Sequence, residues 1–165
     1  MKVAIFIATS INGLITKADF DSDWVNDWDT FTTIIKEYGC VVMGRKTYEA
    51  SLEVSPFPAA QNVVLTSNTE ISNDKVIFLN LSPAEALSVL NKRGFDKLLL
   101  IGGQYTITEF LKAGLVDEIY LDVHPLYIGR GKSISQSIDN LDLTLIDTKT
   151  SEQGIVTLHY KINKI

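Results

Sequence analysis

The sequence predicts an α/β fold of three layers, in which a mostly parallel central sheet carries helices on both faces and ends in a C-terminal antiparallel hairpin. Three observations lead there. Short, nearly continuous apolar runs recur along the chain, the pattern of strands covered on both faces rather than one. Stretches with apolar residues at helical spacing separate these runs, as the crossovers of a parallel sheet require. Near the C-terminus the pattern changes to apolar residues at every second position on either side of a turn, the mark of a hairpin.

The first apolar run is residues 3–7, and residues 8–15 follow it as a loop of small and polar groups around Asn12-Gly13. A helix is expected over 23–38, where Trp24, Trp28, Phe31, Ile34 and Ile35 share one face. The second run, 40–43, leads into Gly44-Arg45-Lys46-Thr47 and a short helix through Tyr48-Glu49-Ala50. The third, 62–65, delivers Thr66-Ser67-Asn68-Thr69, and the fourth is 76–79. Ser82, Pro83 and Glu85 then open a helix through Leu90 with the spacing of a capping box. The fifth run, 98–101, gives way to Gly102-Gly103 and a helix over 104–113 that stops at Gly114. The sixth is 118–123. In the tail, Leu141, Leu143 and Leu145 alternate with polar residues, residues 151–154 turn, and Val156, Leu158, Tyr160 and Ile162 alternate again. No repeat, low-complexity tract or linker interrupts residues 1–165, so a single domain is expected.

Composition removes several classes of function. Hydrophobic residues make up 45% and charged residues 21%, the balance of a chain that folds around a core. The net charge of −5 gives no general attraction to a phosphate backbone, and no basic run alternates with aromatics, so nucleic acid is not an expected partner. Cys40 is the only cysteine and His124 and His159 the only histidines, which leaves no intrachain disulfide and no Cys/His zinc cage. The apolar start MKVAIFIATS is too short for a membrane span and has no clear cleavage site, so a cytoplasmic chain with no membrane partner is expected.

In an open α/β sheet the ligand crevice lies beyond the carboxyl ends of the strands. Gly44 allows a phosphate to approach the backbone, while Arg45 and Lys46 add positive charge; a plain strand-to-helix turn with two solvated cations is the alternative. The run from Thr66 to Asn68 offers hydroxyl and amide donors, or is a polar turn. Gly102-Gly103 opens a second helix onto the same crevice. It is not a Rossmann fingerprint, because Gln104 and Ile107 stand where glycines would be needed, although Asp122 falls near the distance of a ribose-binding acid.

Together these strand ends resemble the dihydrofolate reductase-like superfamily, which includes the reductase domain of riboflavin-biosynthesis proteins. The match is ordered along almost the whole chain: ATSINGLIT after Ile7, VMGRKTYE at 42–49, LTSN at 65–68 and IGG at 101–103. The resemblance implies NADPH as cofactor, in preference to NADH. Gly44, Arg45, Lys46 and Thr47 would hold its pyrophosphate and 2′-phosphate, and Thr66, Ser67 and Asn68 would close over the 2′-phosphate and adenine. Ile101, Gly102, Gly103, Gln104, Tyr105 and Thr106 would complete the cofactor site, with a cis peptide between Gly102 and Gly103. Ala8 and Ile15 would offer backbone groups to the nicotinamide.

The stretch 125–133, PLYIGRGKS, is similar to one in the riboflavin-type reductases, so a hydride acceptor of pterin or pyrimidine kind is implied. The usual Ser-Leu-Asp-Gly opening reads Ser10-Ile11-Asn12-Gly13 here, placing an amide where the family has an acid. Asp27 and Phe31, four apart, resemble the acid and aromatic that fold-mates set against a pterin ring, which makes Asp27 the catalytic candidate and Asn12, Trp28 and Phe31 the substrate-binding ones. A simple helix-dipole role for Asp27 is the alternative. His124 is expected to be structural and His159 solvated. A true dihydrofolate reductase and a non-catalytic NADPH-binding module are the rival readings, and the edge hairpin favours a homodimer.

Overall fold

A computed structural model of the chain describes residues 1–18, 23–59, 61–69 and 75–164. Its elements run β1 (Lys2–Ser10), β2 (Leu14–Lys17), α1 (Trp28–Tyr38), β3 (Cys40–Gly44), α2 (Arg45–Ala50), β4 (Gln61–Leu65), β5 (Val76–Leu79), α3 (Pro83–Lys92), β6 (Lys97–Leu100), α4 (Gln104–Lys112), β7 (Glu118–His124), β8 (Gly131–Ser133), β9 (Leu143–Thr150) and β10 (Val156–Ile162). An eight-stranded sheet has the order β5-β4-β3-β6-β1-β7-β10-β9. Strands β5 through β7 in that order are parallel, and the β9–β10 hairpin adds antiparallel to β7.

Alternation along β1 explains why it is central. Val3, Ile5 and Ile7 join a core with Leu90 of α3 and Ile107 and Phe110 of α4. Ala4 and Phe6 join a second core on the opposite face with Ile34, Ile35 and Tyr38 of α1. A strand buried on both faces has no use for polar alternation, and that is the run read from the sequence. Leu99 and Leu100 divide between the two faces in the same way, and truncating either to Ala would cost about 2–5 kcal/mol.

The helix ends are where side-chain chemistry decides the boundaries. At α3, Ser82 Oγ accepts from the Glu85 N–H and Glu85 Oε2 accepts from the Ser82 N–H, closing the expected capping box. The first helix starts later than the spacing suggested: residues 23–26 are not helical, and Asp27 is the N-cap of α1, its Oδ1 accepting the Thr30 N–H at 3.2 Å. Asp and Asn compete with the helical backbone for its own hydrogen bonds, so Asn26-Asp27 ends the pattern that Trp24 had appeared to extend.

A second departure lies in the segment read as a loop. Leu14–Lys17 is strand β2, paired antiparallel with β8 in a separate two-stranded sheet. A side chain at Gly131 would run into the Thr16 carbonyl oxygen, so this pairing needs glycine there. His159 is also not solvated: its Nε2 lies 2.9 Å from Glu118 Oε2 and its ring stacks on Tyr120.

Candidate functional site

The register sets the exits of four neighbouring strands side by side. Gly44 pairs with Leu65, Val42 with Leu100, and Ile5 with Leu100, so the segments after β4, β3, β6 and β1 emerge in a row. Two of them touch. The Gly44 N–H donates to the Gly102 carbonyl at 2.8 Å, and a Cβ added to Gly44 would stand 2.5 Å from Thr106 Oγ1. Gly102 has φ +116, a region that side chains other than glycine rarely adopt, and a Cβ on Gly103 would lie 3.2 Å from Thr47 Oγ1. The Gly102–Gly103 peptide is cis.

The result is a backbone-lined surface between the β3–α2 junction at 44–47 and the β6–α4 junction at 101–106. Gly103 caps α4 with no side-chain hydrogen bond, leaving the helix's first N–H groups to other partners. Beside it, Arg45 is exposed and pairs with Glu49 at 2.6 Å. Thr66 Oγ1 accepts the Asn68 N–H at 3.1 Å, which shapes the β4 exit as a tight polar turn with Ser67 exposed. Ala8 and Ile15 are buried on the other flank, Tyr105 is exposed, and Lys46 is exposed on α2. Gln104 reaches away to β8, donating to the Ser133 carbonyl at 3.0 Å and to its hydroxyl at 3.1 Å.

The other expected site residues lie around the start of α1 and the β1–β2 turn. Phe31 sits at the centre of an aromatic group, with ring centroids 5.1 Å from Phe6, 5.4 Å from Phe57 and 5.9 Å from Trp28. Asp27 stands one helical turn before Phe31; its Oδ1 caps the helix while its Oδ2 is buried with no hydrogen-bond partner. Trp28 is exposed over Phe31. Asn12 has its amide engaged: Nδ2 donates to the Ile128 carbonyl at 2.8 Å, while Oδ1 accepts from the Ile128 N–H at 3.2 Å and the Ser10 hydroxyl at 2.7 Å. The amide thereby clips the loop after β7 onto the β1–β2 turn.

Two residues here were not assigned to the site from the sequence. Trp24 leaves the expected helix and meets the His124 ring edge-on, with centroids 5.2 Å apart. His124 ends β7 opposite Ser10 of β1 and is 3% exposed. Asp122, which fell near the spacing of a ribose-binding acid in the rejected Rossmann pattern, lies buried in β7 and accepts the Thr157 hydroxyl at 2.6 Å. The signal available for His124 was its position before Pro125 at a strand end; nothing local showed that Trp24 would cover it.

The titratable groups with resolved shifts lie mostly at the opposite, amino end of the strands. Burial alone would raise the Glu118 carboxyl, but hydrogen bonds from Lys2 and His159 outweigh it and hold the group below its ordinary range. Asp117 is similarly held down against burial by Lys164 and the Val3 N–H. A hollow at that end, lined by Asp117, Glu118, Lys161 and Lys164, therefore consists of charges already paired with one another or at the surface. It is a structural tie between the first and last strands. Cys40, in the core, is pushed up to about 12 by burial. Among the described residues no group of His, Cys, Asp and Glu could hold a metal, and no helix is long and apolar enough to cross a membrane.

Comparison with known proteins points in one direction. Residues 1–157 match the family model of the RibD C-terminal domain. The uncharacterized protein YyaP of Bacillus subtilis (strain 168) is 26% identical over 98% of this chain and 95% of its own length. The dihydrofolate reductase of Buchnera aphidicola subsp. Baizongia pistaciae (strain Bp) is 30% identical over 90% of this chain and 86% of its own. Among solved structures, a protein of Shewanella sp. PV-4 provisionally assigned to riboflavin biosynthesis superposes with a TM-score of 0.86 at 26% identity, covering 99% of this chain and all of that one.

Proposed function

Since the chain belongs to the RibD C-terminal domain family, within the dihydrofolate reductase-like superfamily, we propose that it is an NADPH-dependent reductase that delivers a hydride to a planar, pterin- or pyrimidine-like substrate. One observation carries this reading: the Gly44 and Gly102 segments meet in a glycine-lined cradle too tight at Gly44 for a Cβ. The cradle fits a dinucleotide. Gly44, Thr47, Ile101, Gly102, Gly103 and Thr106 would seat the pyrophosphate close to backbone, with the uncapped start of α4 facing the negative charge. Arg45, with Lys46 beside it, would exchange its contact with Glu49 for the 2′-phosphate, a stronger charge-assisted pairing. Thr66, Ser67 and Asn68 would cover the adenine side, Tyr105 and Gln104 the rim, and Ala8 and Ile15 would meet the nicotinamide through their backbone. The reduced cofactor supplies the hydride when bound.

The remaining work falls to this chain's own side chains. Asp27 is held by its cap bond to Thr30, so its free Oδ2 is fixed in direction and can bind a ring N–H or hold a proton for the acceptor. Phe31 and Trp28 would stack on the ring, and their packing with Phe6 and Phe57 excludes water from that side. Asn12 would act at the substrate's edge through the clip it makes with Ile128. A cytoplasmic setting suits a chain whose only cysteine is a buried free thiol.

The assembly that fits is a homodimer through β9. Every residue of this edge strand is exposed, including Leu143, Leu145 and Ile146, and soluble proteins rarely leave such an edge unprotected. Antiparallel pairing of two copies about Thr148 sets Asp147 opposite the partner copy's Lys149 and the reverse.

The test is oxidation of NADPH, followed by absorbance, with dihydrofolate, dihydropterins and aminouracils in turn. Turnover of an aminouracil or dihydropterin supports the reading, and turnover of dihydrofolate alone makes the chain a dihydrofolate reductase. NADPH binding without any turnover would make it a binding module, the reading that the amide at Asn12 leaves open.

A further inference from the structure

Among the described residues of β3, β4, β5 and β6, Asn62 is the one buried side chain that carries nitrogen or oxygen, at 2% exposed. It shares a strand face with Val64, two residues on, and so enters the core that β1 forms with α1. Burying an amide among Val, Ile and Phe is costly unless its hydrogen bonds are made. Here they are made to a single residue. Asn62 Oδ1 accepts the Phe57 N–H at 3.0 Å, and Asn62 Nδ2 donates to the Phe57 carbonyl at 3.0 Å.

A two-way pair of this kind fixes the peptide groups on either side of Phe57, as the opposite residue of an antiparallel ladder would. Phe57 has no other such hold, because it stands between α2 and β4 and belongs to no helix or strand. The consequence lies in its ring. Phe57 is buried and meets the Phe31 ring nearly edge-on, with centroids 5.4 Å apart and planes at 83°. Of the other rings around Phe31, Phe6 is carried by β1 and Trp28 by α1. Phe57 is the neighbour whose place depends on a side chain rather than on regular backbone.

We propose that Asn62 is a positioning residue of the reductase: through the Phe57 main chain it sets the Phe57 ring against Phe31, and so fixes the tilt of the ring on which the acceptor stacks. This rests on the reading of Phe31 given above. An edge-to-face partner has a preferred geometry, so Phe31 cannot turn without displacing Phe57. With the amide gone, the Phe57 N–H loses the one partner it has and the carbonyl keeps only the Ala59 N–H, at 2.7 Å. The segment then shifts to find water, and the ring goes with it. Asn62 touches no acceptor itself. It stands at the amino end of β4, away from the exit at Thr66, so its effect falls on acceptor affinity and not on the cofactor.

The experiment uses the full chain saturated with NADPH, with diaminouracil and dihydrofolate as probes. Asn62→Leu keeps the size of the side chain and removes both bonds; it should weaken probe binding about 3- to 10-fold, the worth of one aromatic contact, with NADPH affinity unchanged. Asn62→Asp, which burial favours as the neutral acid, keeps one donor and one acceptor and should bind the probes more tightly than Asn62→Leu. Val63→Ala, on the opposite face of the same strand, should lower the melting temperature and leave probe affinity alone. Because Asn62 acts through the ring, Asn62→Leu should add nothing to the loss already caused by Phe57→Leu. Wild-type probe affinity in Asn62→Leu, an equal loss in Val63→Ala, or additive losses in the double variant overturns the proposal while the substrate reading stands. Should Asn62→Leu not fold, a loss in Asn62→Asp that adds in full to that of Phe57→Leu overturns it equally. Failure of the wild-type chain to bind either probe in the presence of NADPH overturns both.

Discussion

Replacing Asp27 by Asn keeps an oxygen where Oδ1 accepts the Thr30 N–H at 3.2 Å, and changes the chemistry of the buried atom that has no partner. Asn caps helices as well as Asp does, so the substitution gives up only the carboxylate's attraction to the positive end of α1, about 0.3–1 kcal/mol. Asp27→Ala gives up the cap as well, a further loss of about 1 kcal/mol. For a chain of this size each kcal/mol lowers the melting temperature by roughly 2–4 °C, so the two variants are separable by thermal unfolding. Turnover follows a different order. Loss of a positioned acid costs about 100- to 10,000-fold, so Asn should be nearly as inactive as Ala although it is the more stable. The assay pairs thermal unfolding with NADPH affinity and steady-state oxidation of NADPH by whichever acceptor proves active. An Asn variant that turns over like wild type would refute the catalytic role. Parallel loss of NADPH affinity would show damage to the fold rather than lost chemistry.

Gly44→Ala forces a Cβ to within 2.5 Å of Thr106 Oγ1, an overpacking that costs about 1–3 kcal/mol. Adding Thr106→Ala should relieve the strain in a denaturant titration without restoring NADPH affinity, and recovery of both would reduce the Gly44 turn to a packing feature. Acid stability should depend on Asp117 and Glu118, whose folded pKa values lie below the ordinary 3.8 and 4.5. Their contribution is fully present above those values and is lost as pH falls through the lower folded ones. Glu118→Gln should therefore flatten the acid limb of the urea midpoint against pH, and an unchanged slope would count against the tie between the strands. Leu145→Lys, on the exposed edge of β9, should turn a dimer into a monomer by sedimentation, whereas a wild-type chain that is itself monomeric removes the dimer from the account.

The layers of this fold were legible because each central strand is buried on both faces and each helix carries one apolar stripe. Runs such as 98–101 and the capping box at Ser82 and Glu85 hold their meaning within a few residues. What could not be read locally depends on distant partners. Strand β2 is four residues long and pairs with the three of β8 across a register shift, too little for periodicity to register. Trp24 shared the helical spacing of Trp28 and Phe31, and only the cap at Asp27 takes it out of the helix and onto His124. The glycine turns were legible as a cradle because glycine permits close approach wherever it stands. The contact of His124 with Trp24 was not, because the two rings lie roughly a hundred residues apart in the chain, and their meeting is a property of tertiary packing rather than of spacing.

Titration of the chain with NADPH and NADH, repeated on Arg45→Ala, tests the central claim most directly. Arg45 is an exposed cation beside the cradle and is assigned to the 2′-phosphate that only NADPH carries. Wild type should bind NADPH saturably and at least ~10-fold more tightly than NADH, a difference of about 1.4 kcal/mol, and Arg45→Ala should bring the two affinities together by weakening NADPH alone. Equal affinities in wild type, equal losses in the variant, or no saturable binding of either nucleotide would contradict the account.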